Sequence, residues 1–250
     1  MTKHDRIRLT GLLLLFFYFC CVKQIVVLTG AGISKESGIP TFRDMDGYWR
    51  KYRIEEVASP EAWQKNPQLV LDFYNMRRRK LKEVKPNAAH KALVELEKHF
   101  TVRVITQNVD DLHERAGSRH VLHLHGELKK VRSEKNPTLV YPWETDLHLG
   151  DTAEDGAQLR PHIVWFGEAV PAYEKAVEIT RNADLFLIIG TSMQVYPAAG
   201  LVRFLKPEIP VWYIDLHPAG LHIPNPLTVI AEPATKGTPK AIRTIIERYG

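Results

Sequence analysis

The stretch Thr29 to Arg43, TGAGISKESGIPTFR, decides the reading of this chain, and the apolar run Ile25 to Leu28 feeds into it as a strand. Gly30 and Gly32, with Ala31 between them and Ile33 after, make a loop whose backbone N–H groups approach a phosphate with no Cβ in the way. A helix starting near Ser34 aims its positive end at the same place. The usual dinucleotide fingerprint G-x-G-x-x-G is broken, because Lys35 stands at the third glycine position. Beyond it, Ser37-Gly38-Ile39-Pro40 forms a rigid turn carrying Phe42 and Arg43, a ring and a permanent cation suited to capping a nucleotide.

Outward from that loop, helical and strand patterns alternate. Pro60 to Lys82 reads as helices, with Trp63, Leu69, Val70, Phe73 and Leu81 near helical spacing and Pro67 at a helix start. Ala88 to Phe100 reads as a second amphipathic helix with Ala92, Leu93, Leu96 and Phe100 facing the core. Val102 to Thr106 is a strand closed by Gln107-Asn108-Val109-Asp110, and Val121 to Leu124 is one closed by His125-Gly126. Leu185 to Ile189 ends on Gly190-Thr191-Ser192, and Val211 to Ile214 ends on Asp215. Such alternation predicts an α/β fold, a Rossmann-like parallel sheet with helices on both faces. Each polar motif falls just past a strand's C-terminal end, where open α/β sheets bind ligands. The segment of about 128–160 breaks the rhythm with polar, turn-rich sequence and is expected to be a small inserted lobe.

The 250-residue chain is 44% apolar and 25% charged, within the range of a globular domain with a sizeable core. Its net charge of +5 suits an acidic ligand such as a nucleotide, but no block of Lys and Arg is dense enough to argue for nucleic acid. Cys20 and Cys21 are adjacent and build no disulfide framework, which favours a reducing compartment and a cytoplasmic location. Residues 1–22 form an apolar extension unlike the rest: Leu12 to Val22 is uninterrupted and follows Lys3, Arg6 and Arg8. That run falls short of the ~20 residues a bilayer needs, so no stable membrane insertion is expected. The run also fits a short anchor or, without a small-x-small cleavage site after it, a signal-peptide core; the preferred expectation is that the functional chain begins near Val22, with residues 23–250 as one domain.

Taken together, GAGISKESGIPTFR, QNVD at Gln107 to Asp110, HG at His125-Gly126, VWFGE at Val164 to Glu168 and GTS at Gly190 to Ser192 resemble the sirtuin family, NAD-dependent protein-lysine deacylases. The motifs stand in the family's order from about Lys23 to the C-terminus. The resemblance implies that NAD is consumed as a co-substrate and that an acyl-lysine side chain enters between a Rossmann lobe and a small lobe. The nicotinamide–ribose bond is broken, the acyl oxygen attacks the sugar carbon, and nicotinamide and O-acyl-ADP-ribose are released. His125 is then the base, with Asn108 and Asp110 holding ribose and carboxamide. The dinucleotide is expected to touch Gly30, Ala31, Gly32, Ile33, Phe42, Arg43, Gln107, Asn108, Asp110, Gly190, Thr191, Ser192, Asp215 and, on resemblance only, Ala234. Val164, Trp165, Phe166, Gly167 and Glu168 are expected to pair with the substrate by strand addition.

Read singly, these residues have plainer uses. His125 fits a structural histidine at a strand end, and Asp110 with Asp111 fits a helix cap. Arg43 fits a solvated surface charge, Gly190-Thr191-Ser192 a strand-to-helix turn, and Val164 to Phe166 a core strand. His123 matches no essential family position and is expected to pack or to support a site residue from behind. Asp215 and His217 depart from the Asn and Glu often found there, which weakens the nucleotide assignment of that stretch.

Tyr74 and Arg77 share a helix face by their i,i+3 spacing. They resemble the Tyr-x-x-Arg pair of the sirtuin subgroup that removes succinyl and malonyl groups, in which a small residue, here Ala58, widens the pocket. The competing reading makes Arg77 to Arg79 an exposed basic helix face. Most sirtuins also bind structural zinc through two CxxC pairs. The matching positions here are Ser133, Asn136, Thr152 and Asp155, so no zinc is expected, and Leu139, Val140, Tyr141, Trp143, Leu147 and Leu149 are expected to form a compensating small core. Transfer of ADP-ribose to a protein side chain is the alternative activity that the same dinucleotide pocket would serve.

Overall fold

The computed structural model describes residues 24–41 and 53–250; the apolar extension 1–22, Phe42 and Arg43 lie outside them. The chain opens with β1 (Gln24–Thr29) and turns directly into a single helical turn, α1 (Gly32–Lys35). Helices α2 (Ile54–Val57), α3 (Pro60–Lys65), α4 (Pro67–Glu83) and α5 (Ala88–Leu96) follow, then β2 (Thr101–Thr106), α6 (Leu112–Ala116) and β3 (Val121–His123). Next come β4 (Gly126–Ser133), β5 (Val140–Pro142) and β6 (Leu159–Ile163), then α7 (Tyr173–Arg181) and β7 (Leu185–Ile189). A 3₁₀ helix (Ala198–Phe204), β8 (Val211–Ile214), β9 (Leu227–Ile230) and α8 (Ala234–Tyr249) complete it.

Local chemistry sets several of these boundaries. The stretch from Pro60 to Lys82 is two helices, the second starting at Pro67 as expected, because proline has no N–H to continue the first. Asn66 caps the second through its Oδ1, which accepts from Leu69 N–H at 3.1 Å, and Ser59 caps the first by accepting from Ala62 N–H at 3.0 Å. α5 stops at Leu96, short of the expected Phe100, yet Phe100 still reaches the core through a tight final turn. α7, β9 and α8 go beyond the elements expected from the sequence. Gly237 and Pro239 early in α8 argue locally against a helix, and burial of Ala241, Ile242 and Ile245 outweighs them.

Six strands form one parallel sheet in the order β3-β2-β1-β7-β8-β9, as the α/β reading predicts. This is the doubly wound order that reverses between the first and fourth strands of the sheet, here β1 and β7. Strand residues alternate between two cores. Ile25, Val27, Leu185, Leu187 and Ile189 pack with α5 and α8, while Val26, Leu28, Phe186 and Ile188 pack with α7 and the 3₁₀ helix. The runs are apolar throughout because both faces are covered.

The expected inserted segment of about 128–160 holds an antiparallel sheet ordered β5-β4-β6, whose central strand begins at Gly126 and whose edge strand β6 runs to Ile163. A third core joins this sheet to Val57, Trp63, Val70, Phe73 and Tyr74 from α2, α3 and α4. The small lobe is therefore built from two stretches of chain. The compensating core expected around residues 139–149 is only partly formed: Leu147 is buried, Tyr141 and Trp143 pack at its edge, and Leu149 is 50% exposed. The helices 54–83 supply the apolar surface instead. Among the described residues, no helix is long and apolar enough to cross a membrane.

Candidate active site

A cleft of about 800 Å³ opens where the strand order reverses, between the large sheet and the small lobe. It is lined by Gly30, Ala31, Gly32, Ala58, Tyr74, Arg77, Gln107, Asn108, Asp110, His125, by 164–168, and by Gly190, Thr191, Ser192, Asp215 and Ala234. Nearly every expected site residue within the described parts thus meets on one surface. Ile33 is the correction: its side chain is fully buried in the sheet core, because the turn of α1 rotates it under the sheet, away from the cleft.

The glycine loop works differently from the expected phosphate cradle. Gly30 N–H donates to Ile189 O, Gly32 N–H to Gly190 O, Ile33 N–H to Gly30 O and Ser34 N–H to Ala31 O. These donors are committed to the backbone. The glycines are required by close approach: a Cβ on Gly32 would lie 2.7 Å from Gly190 Cα, and one on Gly190 would lie 2.3 Å from Ile33 N. Gly190 also has φ +62°, where a side chain is strained. The loop after β1 and the loop after β7 are pressed together into one floor at the switch point. Thr191 Oγ1 accepts from Gln107 Nε2 at 3.0 Å and ties in the loop after β2.

His125 follows β3, one residue before Gly126, whose φ of +83° and whose missing Cβ, 2.0 Å from His162 O if present, let β6 pass beside it. His125 Nδ1 lies 3.1 Å from Gln107 O. A carbonyl only accepts, so Nδ1 carries the proton and Nε2 keeps its lone pair. Burial lowers the pKa of the ring, partly offset by that carbonyl, so it is neutral near pH 7. Asn108 Nδ2 donates to Ser34 Oγ at 3.1 Å, and its N–H donates to Thr106 Oγ1 at 3.0 Å. Burial raises the Asp110 carboxyl above its ordinary value, opposed by Leu112 N–H and the Ser34 hydroxyl. Asp110 Oδ1 accepts Leu112 N–H at 3.2 Å, so its capping use is real as well. Ser34 was not among the expected residues; its hydroxyl, in the first helical turn after the glycine loop, meets the loop Gln107 to Asp110 through Asn108, a contact that only the fold makes. His123 takes the supporting place, one of the two uses expected of it. It bridges Asn108 O and Glu114 Oε1, each at 2.8 Å; burial works against its proton, but the carboxylate prevails and raises its pKa.

The three arginines after Met76 have three different surroundings, so the exposed basic face does not form. Arg78 is 2% exposed and donates to Leu128 O, Asn75 Oδ1 and Thr145 O. Arg79 is exposed and pairs with Asp146. Arg77 is half-buried in the cleft wall, with its guanidinium 5.8 Å from the Tyr74 ring centroid. Tyr74 is 1% exposed, and burial pushes its phenol up to about 12, so it remains a proton donor. Ala58, also buried, faces the same cleft.

Val164 to Phe166 is not a strand; the sheet ends at Ile163. Val164 N–H donates to His125 O, Trp165 N–H to Glu168 Oε2 and Phe166 N–H to Ala58 O. Glu168 is held by Arg160 and Arg132. Burial alone would raise its pKa, but Arg160 and the Trp165 N–H bond outweigh it and hold the carboxylate below the usual range. Asp215 Oδ1 already accepts His217 N–H at 2.8 Å. At the four positions where the resemblance would put zinc thiolates, Ser133 Oγ donates to Asp155 Oδ2 at 2.7 Å and accepts from Lys135 and Asn136 N–H, each at 3.1 Å. None of these donors is a thiolate or imidazole, so the set does not fit a structural zinc.

A family model described as Sir2 family matches residues 30–197. A Helicobacter pylori protein named NAD-dependent protein deacylase is 58% identical over 226 residues, covering 90% of this chain and 99% of that protein. A Bacteroides thetaiotaomicron protein of the same name is 52% identical over 231 residues, covering 90% and 99% respectively. Among solved structures, a Sir2 homolog in complex with NAD is similar at a TM-score of 0.81 and 38% identity, covering 91% of each chain.

Proposed function

This chain belongs to the Sir2 family and is an NAD-dependent protein deacylase, and we propose that it removes acetyl and, preferentially, succinyl and malonyl groups from lysine. Bound NAD supplies a cleavable nicotinamide–ribose bond and the hydroxyl to which the acyl group passes. The protein's own residues prepare that exchange. His125 keeps Nε2 unprotonated by giving its only ring proton to Gln107 O, so it can accept the proton of a ribose hydroxyl. Asn108, fixed by Ser34 and Thr106, presents a side-chain carbonyl, and Asp110 a buried carboxyl, to the nicotinamide side of the cleft. Gly30, Ala31, Gly32 and Gly190 to Ser192 form the floor on which the pyrophosphate rests, with Asp215 and Ala234 toward the adenosine end. The acyl-lysine enters beside 164–168, where four N–H groups are already committed and Trp165 O accepts one of them, so strand addition there runs through the remaining carbonyl groups.

The observation that carries the acyl preference is the pairing of Tyr74 and Arg77 in the same cleft wall as Ala58 and His125. A guanidinium and a phenol donate to a carboxylate, each charge-assisted bond contributing ~1.5–3 kcal/mol, and neither has a partner in an acetyl group. We also propose that the small lobe is ordered without zinc, supported by the Ser133–Asp155 hydrogen bonds and by the core shared with 54–83. The test is Arg77→Met assayed on succinyl-, malonyl- and acetyl-lysine peptides with NAD. Loss of desuccinylation by about tenfold or more beyond any loss of deacetylation is expected, with O-acyl-ADP-ribose as product. Equal losses would overturn the preference.

A further inference from the structure

Tyr74 does not stand alone in the cleft wall. The indole N–H of Trp165, itself 2% exposed, donates to Tyr74 Oη at 3.0 Å. An indole nitrogen donates and never accepts, whereas a phenol oxygen can do both. With Trp165 supplying the donor, the single phenol proton must point elsewhere, and the open side of Tyr74 is the cleft it shares with Arg77. The indole is itself locked. The Arg160 guanidinium stacks 3.3 Å from its ring centroid, and Trp63 lies against it at 5.8 Å. Glu168 accepts the backbone N–H of Trp165 at 2.8 Å and grips Arg160 at 2.7 and 3.1 Å.

We propose that Trp165 is a specificity-determining residue that acts through Tyr74: its indole N–H turns the phenol into a committed donor for an acidic acyl tail. Arg160 and Glu168 act behind it as positioning residues. This inference rests on the reading that Tyr74 and Arg77 receive a carboxylate. A committed donor suits a carboxylate, which only accepts, and brings nothing to a methyl group. Without the indole, the phenol proton is free to turn away, and part of the recognition is lost before the substrate arrives.

The test compares Trp165→Phe, Tyr74→Phe and the double variant on succinyl- and acetyl-lysine peptides. A three- to tenfold fall in the succinyl-to-acetyl ratio of kcat/KM is expected for Trp165→Phe, carried by KM, as for one neutral hydrogen bond. Calorimetry should show the Kd of the succinyl peptide rising by a similar factor in dinucleotide-free protein. In the Tyr74→Phe background, Trp165→Phe should change the ratio no further. Should the phenylalanine variant not fold, 3-benzothienylalanine placed at position 165 keeps the ring shape without the N–H and should give the same fall. An unchanged ratio with either replacement, or losses that multiply in the double variant, would overturn the inference. Arg77→Met run alongside separates the two claims. If it lowers both activities equally, the acidic-acyl reading fails and takes this inference with it; if it is selective while the Trp165 replacements are not, this inference alone falls.

Discussion

His125 shows how one carbonyl sets the chemistry of a side chain. Gln107 O claims Nδ1–H, and burial disfavours a second proton, so the free base persists below the ordinary histidine pKa of about 6.5. The rate should therefore be flat through neutrality and fall only on the acid side, with an inflexion in kcat/KM below pH 6.5. An acid limb centred above pH 7 would assign the base to another group. The sequence made His125 legible, because it sits at a strand end among polar motifs. It could not separate Arg77 from Arg78. Helical spacing puts Arg77 on the face of Tyr74, but what buries Arg78 is the carbonyls of Leu128 and Thr145, dozens of residues away. Nor does spacing reveal that Trp165 Nε1 meets Tyr74, since that bond spans 91 positions.

Among the elements, the loops after β1, β2, β3 and β7 converge because all four strands run parallel and end at one edge. Their polar motifs were readable; their mutual contacts were not. Gly30 and Gly32 look like a phosphate cradle in sequence, and the structure spends their N–H groups on the β7 loop. In the small lobe, Ser133 is 1% exposed and has three hydrogen-bond partners at the turn after β4. Ser133→Ala leaves two backbone donors and a carboxylate without that oxygen. It should cost ~0.5–1.5 kcal/mol in a urea unfolding titration, since the groups left behind can turn to water, and an unchanged midpoint would remove this turn from what orders the lobe.

At the scale of the whole molecule, the small lobe is held together by a core that α2, α3 and α4 share with β4 and β6. Since that core and the Ser133 turn stand where a metal would otherwise cross-link the lobe, prolonged chelation should leave activity and melting temperature unchanged. Stoichiometric zinc in elemental analysis, or a melting temperature lowered by chelator, would refute this. Sequence alone determined the α/β alternation, the parallel sheet and the motifs at its C-terminal edge, because apolar runs, glycines and caps act over a few neighbouring residues. Only the tertiary structure decided which donors are already committed, which arginine faces the cleft, and that helices 54–83 complete the small lobe. Those outcomes depend on partners far apart in the chain, and hydrogen bonding and burial are settled by distance in space.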